Sequence, residues 1–122
     1  MDKNVIIFQD ILNEIESWNP STNKWHFSSR LITARSGHSA VVLNGRIYVV
    51  GGFDGEERLK SVECFTPGPV MTWHNVADLL IPRSNFALSV VDGKILVCGG
   101  YSDQHGRVIA NCEMYCPQTN IW

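Results

Sequence analysis

The stretch Asn44-Gly45-Arg46-Ile47-Tyr48-Val49-Val50-Gly51-Gly52 returns 48 residues later as Asp92-Gly93-Lys94-Ile95-Leu96-Val97-Cys98-Gly99-Gly100. Asn-Gly and Asp-Gly are favoured where two consecutive residues need positive φ, as in the type I′ turn of a hairpin. The run after each turn is rich in β-branched residues and bounded by glycine, so it reads as strand and not helix. A chain that repeats a turn, a strand and a glycine stop is built from repeated sheet units.

Other residues keep the same period. Trp25 and Trp73 are 48 apart, Trp73 and Trp122 are 49 apart, and Arg35 and Arg83 are again 48 apart. A period of this length with several short strands per unit points to a β-propeller. Each unit reads as four strands: a over 38–43, b over 46–50, c over 61–65 and d over 73–77, with the next a from about 86. Strands a are mostly apolar on both faces, as an inner strand between neighbouring sheets would be. The residues 31–36 and 79–84 read as loops between d and a. Strand c carries an aromatic near its end (Trp18, Phe65, Tyr115), then a proline turn, then the repeat tryptophan. These aromatics with Trp25, Trp73 and Trp122 are expected to pack blade against blade.

The combination of double glycine, downstream aromatic, proline turn and tryptophan resembles the kelch repeat over roughly residues 12–122. The form Arg-Ser-Gly-His…Asn-Gly-Arg-Ile-Tyr-Val-Val-Gly-Gly-Phe-Asp-Gly is most similar to the propellers of BTB-kelch ubiquitin-ligase adaptors. The expected fold is therefore all-β, a partial kelch propeller of four-stranded antiparallel blades. Residues 1–30 read as an incomplete blade with strands b to d, 31–79 as a complete blade and 80–122 as a blade lacking its outer strand. Val5-Ile6-Ile7-Phe8 has the character of a strand b, but Gln9-Asp10 stand where a glycine pair belongs, so the first eleven residues are atypical. About two and a half blades are expected, whereas kelch propellers usually close with six, and the segment reads as a fragment without the BTB and BACK regions.

Several classes of function are excluded. A net charge of −2 without charge blocks gives no argument for nucleic acid or an anionic membrane. The apolar runs are strand-sized, and the N-terminal run lacks the features of a signal peptide, so a cytoplasmic protein is expected. Cys112 and Cys116 lie four apart with no second pair at ligand spacing, so no zinc site is expected. Cys98 stands at the place of Val50 and reads as a small buried hydrophobe, with thiols expected to be reduced. The glycine pairs are followed by no phosphate-loop signature. His26 and His74 follow the repeat tryptophans, His38 aligns with Phe86 on an inner strand, and His105 stands alone in a loop. No nucleophile–base pattern is visible. Galactose oxidase shares the kelch fold, but nothing here matches its copper-ligand set. No enzyme, metal or cofactor is expected.

The remaining candidates lie on loops. Arg35-Ser36 and Arg83-Ser84-Asn85 precede the a strands, and each arginine has two readings. One pairs it with a carboxylate such as Glu63 or Glu113. The other follows from the resemblance: the d–a loop of kelch-like adaptors lines a partner-binding face, where arginine grips an acidic or phosphorylated peptide and the serine offers a hydrogen bond. Phe53-Asp54 and Tyr101 follow the glycine pairs on that same face, as peptide hot spots or as rings packed over their own loops. The loop of Tyr101 is two residues longer than that of Phe53. The resemblance implies substrate recognition for a cullin-3 RING ubiquitin ligase, with cullin-3 held through an absent BTB region. An actin-binding cytoskeletal kelch protein is the alternative.

Overall fold

The computed structural model describes residues 11–69, 72–104 and 106–122, and all regular structure within them is β. The strand b expected near residues 5–8 and the loop position of His105 lie outside the described residues. A two-stranded sheet pairs β1 (Leu12–Asn19) with β2 (Lys24–Arg35). A four-stranded antiparallel sheet follows, in the order β3 (Ser39–Leu43), β4 (Arg46–Val50), β5 (Val62–Thr66), β6 (Thr72–Val76). The next sheet has β7 (Ala87–Val91) and β11 (Cys112–Tyr115) on either side of β8 (Lys94–Cys98). Two short strands, β9 (Tyr101–Ser102) and β10 (Arg107–Val108), form a hairpin in the loop between β8 and β11.

The turns form for the reason their sequences suggest. Asn44 and Gly45 have φ of 52° and 73°, and Asp92 and Gly93 have 49° and 70°, placing both central residues in the left-handed region. Each turn fixes the register of its hairpin, Leu43 opposite Arg46 and Val91 opposite Lys94.

Alternation along β4 then stacks the sheets. Ile47 and Val49 point toward β1–β2, where Val49 is buried with Ile15 and Leu31 and Trp73 packs beside them. Tyr48 and Val50 point the other way and join Val62, Cys64, Ile95, Val97 and Tyr115 in the larger core. The middle sheet is covered on both faces, which is how propeller blades bury a thin sheet.

Four expectations are corrected. Strand β2 continues through residues 31–35, read as loop, because β1 extends to Leu12 and pairs it with Arg35. Trp25 is 47 % exposed, since no described residues cover its side of β1–β2, whereas Trp73 packs on that sheet and donates from Nε1 to Ser29 at 3.0 Å. Strand β3 is covered on one face only: Val42, opposite Ile47, is 59 % exposed because β1–β2 does not reach over it. Cys98 is half-buried and disulfide-bonded to Cys112, not a buried thiol.

Candidate partner-binding face

The glycine pairs close the blades at one end. The Gly52 N–H donates to Arg83 O at 2.9 Å, joining strand β4 to the loop that opens the next blade. Beyond it, Ser36 and Phe53 exchange backbone hydrogen bonds of 2.9 and 2.8 Å, and Ser84 and Tyr101 do the same at 3.0 and 2.8 Å. The Asn85 N–H reaches Gly37 O at 2.8 Å and links the two d–a loops. Ser36, Phe53, Ser84, Asn85 and Tyr101 are thus assembled into one cluster of loops. Asp54 spends one carboxylate oxygen on the N–H groups of Glu56 and Glu57, both at 2.8 Å, and these bonds hold its carboxyl below the usual range. It shapes its own loop.

Arg35 and Arg83 are not on this face. Both are fully buried, and the guanidinium groups are occupied by the protein itself. Arg35 Nη2 lies 2.6 Å from Glu63 Oε2, and its Nη1 donates to Gly51 O at 2.7 Å and Ser61 O at 3.2 Å. Arg83 repeats the arrangement with Glu113 at 2.7 Å, Gly99 O at 2.8 Å and Asn111 O at 3.2 Å. Each glutamate also accepts from two N–H groups of the d–a stretch, Ile32 and Thr33 or Leu80 and Ile81. Burial lowers the Arg35 pKa from its ordinary value while Glu63 opposes that shift. The pairing with Glu63 and Glu113 is the arrangement found, and the guanidinium groups tie strand ends together where a peptide hook was the other expectation.

The cation on the loop face is Arg58, which sequence reasoning missed. Its guanidinium carbon sits 4.6 Å from the centroid of Phe53 and 4.6 Å from that of Tyr101. Nη1 pairs with Asp103 Oδ1 at 3.0 Å, and Nε approaches Ser84 Oγ at 3.3 Å. One arginine therefore bridges the loops of two blades, with its side chain partly in solvent. Spacing carried no signal for it, because the two b–c loops differ in length and offer no matching arginine.

Among the described residues no group of three or more His, Cys, Asp or Glu could hold a metal ion, and no helix is long and apolar enough to cross a membrane. Sheets stacked as blades, with loops gathered at one end, define a β-propeller repeat protein. The Kelch motif model matches residues 34–80 and 82–122, and the chain belongs to the kelch-repeat family. Human Kelch-like protein 6 is 42 % identical over 55 residues, which is 45 % of this chain and 9 % of that protein. Human Kelch-like protein 28 is 44 % identical over 48 residues, 39 % of this chain and 8 % of the relative. Rat Kelch-like protein 24 is 43 % identical over 56 residues, 44 % and 9 % of the two chains. The matched stretch thus spans less than a tenth of each relative. A fungal alcohol oxidase of the AA5 family, solved in complex with copper, superposes with a TM-score of 0.76 at 18 % identity, covering 90 % of this chain and 26 % of that one. At that identity the likeness is one of fold. The chain is a protein-interaction module of the kelch-like type.

Proposed function

We propose that this segment recognises the substrate of a cullin-3 RING ubiquitin ligase in the cytoplasm, binding and not transforming its partner. Residues 31–79 act as the complete blade, with an incomplete one on either side. A BTB region outside the segment contacts cullin-3. The observation that carries the reading is the clasp of Arg58 between Phe53 and Tyr101 on the loop face. Two aromatic rings held apart by a cation give a rigid, amphipathic surface of the kind that anchors a bound peptide. Ser36, Ser84 and Asn85 border it with small hydrogen-bonding groups, and Asp54 holds one rim. The kelch-like relatives favour this over an actin-binding cytoskeletal role.

The test uses the protein encoded by the full-length transcript. Co-precipitation of cullin-3, with ubiquitylated proteins lost in the Phe53→Ala, Tyr101→Ala double variant, is the expected result. Co-sedimentation with filamentous actin and no cullin-3 would establish the cytoskeletal alternative, and failure of both would overturn each reading.

A further inference from the structure

Cys98 and Cys112 stand directly opposite each other on β8 and β11, with Cα atoms 4.2 Å apart and the sulfurs joined. In the preceding blade the same two places are Val50 and Val62, also directly paired, and both are fully buried by the next sheet. Here the outer face of the sheet is open: Cys112 is exposed and Cys98 half-buried. The two cysteines also form the base of the loop carrying Tyr101 and Asp103, which hold Arg58 across the blades. Next to the sulfurs, Gly99 N–H donates to Asn111 O at 3.0 Å and Ile109 N–H to Gly100 O at 2.9 Å. Asn111 in turn accepts from buried Arg83 through its carbonyl at 3.2 Å and its side chain at 2.9 Å.

We propose that Cys98–Cys112 is a reversible thiol–disulfide exchange site for small thiols of the glutathione class, and that its state sets how firmly the base of the 99–111 loop is held. A glutathione thiolate attacks the exposed sulfur of Cys112, forming a mixed disulfide and releasing the Cys98 thiolate, which takes a proton. A second glutathione thiolate attacks the glutathione sulfur of that mixed disulfide. It releases the Cys112 thiolate, which is protonated, and glutathione disulfide. The protein disulfide is reduced by two electrons and two glutathiones are oxidised; the reverse reaction uses glutathione disulfide as oxidant. Access decides the direction of attack, and a disulfide on an open sheet face is available to such exchange where a buried one is not. The valine pair of the preceding blade holds its loop base through burial alone, so only this blade carries the switch.

The site is tested on the full chain in buffers of varied glutathione to glutathione disulfide ratio. Peptide-resolved alkylation reports each cysteine, and amide hydrogen exchange reports the loop base. Cys98 and Cys112 are expected to become alkylatable together as the ratio rises and to close again when it falls. On reduction the Gly99 and Ile109 amides should exchange about tenfold faster. The Gly51 and Leu59 amides, which make the equivalent bonds to Ser61 and Gly52 beside Val50 and Val62, should not change. The Cys98→Val, Cys112→Val variant copies the preceding blade and should ignore glutathione. Free alkylation at every ratio, a bond that excess glutathione leaves intact, unchanged Gly99 and Ile109 exchange, or an equal rise at Gly51 and Leu59 would each overturn the proposal.

Discussion

The Arg35 guanidinium meets the Glu63 carboxylate at 2.6 Å with both side chains fully buried, and the arrangement recurs one blade later with Arg83 and Glu113. A buried ion pair resists the loss of one partner far more than replacement of both, because the survivor is left charged and unsolvated. Glu63→Ala should therefore destabilise the protein by about 3–5 kcal/mol. The Arg35→Met, Glu63→Leu double variant should lose less than the sum of the single changes. Urea unfolding of the four proteins measures the coupling. A full loss in the double variant would show that the hydrogen bonds to Gly51 and Ser61, and not the charge pair, dominate.

Gly52 and Gly100 occupy places that no side chain fits. Their φ values are +109° and +96°, and an added Cβ would lie 2.7 Å from Ser36 O and 2.6 Å from Ser84 O. Those carbonyls are pinned by the reciprocal bonds to Phe53 and Tyr101, so they cannot move aside without breaking the loop cluster. Gly52→Ala or Gly100→Ala is expected to cost at least about 2 kcal/mol. Gly68→Ala, which meets no atom within 4 Å, should stay within about 0.5 kcal/mol of the parent. Thermal unfolding of the three variants distinguishes these outcomes.

Arg58 joins two blades through planar stacking as well as charge. Arg58→Ala should destabilise the chain by about 1–2 kcal/mol. Arg58→Lys should recover less than half of that, because an ammonium cannot lie flat between two rings. A double-mutant cycle with Asp103→Ala should give only about 0.5–1 kcal/mol of coupling, as expected for a pair this open to solvent. Full rescue by lysine would mean that charge alone matters there.

His38 supplies a pH signature. Burial first, and the nearby Arg35 charge second, lower its pKa from 6.5 to about 4. The unfolded chain therefore takes up the proton before the folded one, and stability drains as pH falls from about 6.5 toward 4. Phe86 occupies the equivalent place in the next blade, so His38→Phe removes the titration while keeping a residue that the site accepts. Above pH 6.5 the difference in Tm between the two proteins should be flat, and below it the parent should fall relative to the variant. Parallel curves down to pH 4 would contradict the assignment.

Most of the fold was legible because its signals are local. The positive φ at Asn44-Gly45 and Asp92-Gly93 is a property of those residues, and it sets hairpin register without reference to anything distant. The strand positions followed to within about a residue, β4 and β8 at their stated bounds. The loop cluster was partly legible, since Ser36, Phe53, Ser84, Asn85 and Tyr101 do gather at one end. Arg58 was not, because its two rings come from loops 48 residues apart that differ in length.

Sequence by itself determined the repeat, the turns and the alternation along β4 that sends Val49 and Val50 to opposite cores. Only the tertiary structure decided which way the chemistry faces. Arg35 and Arg83 turn inward because Glu63 and Glu113 wait at the ends of the c strands to neutralise them. Trp25 and Trp73 hold the same place in the repeat, yet the first is half in solvent and the second packs on β1–β2. Cys98 and Val50 are likewise equivalent in sequence, and the sheet that buries one leaves the other open to thiols. Burial depends on the neighbouring blade, and a residue's own repeat does not encode which neighbour it meets.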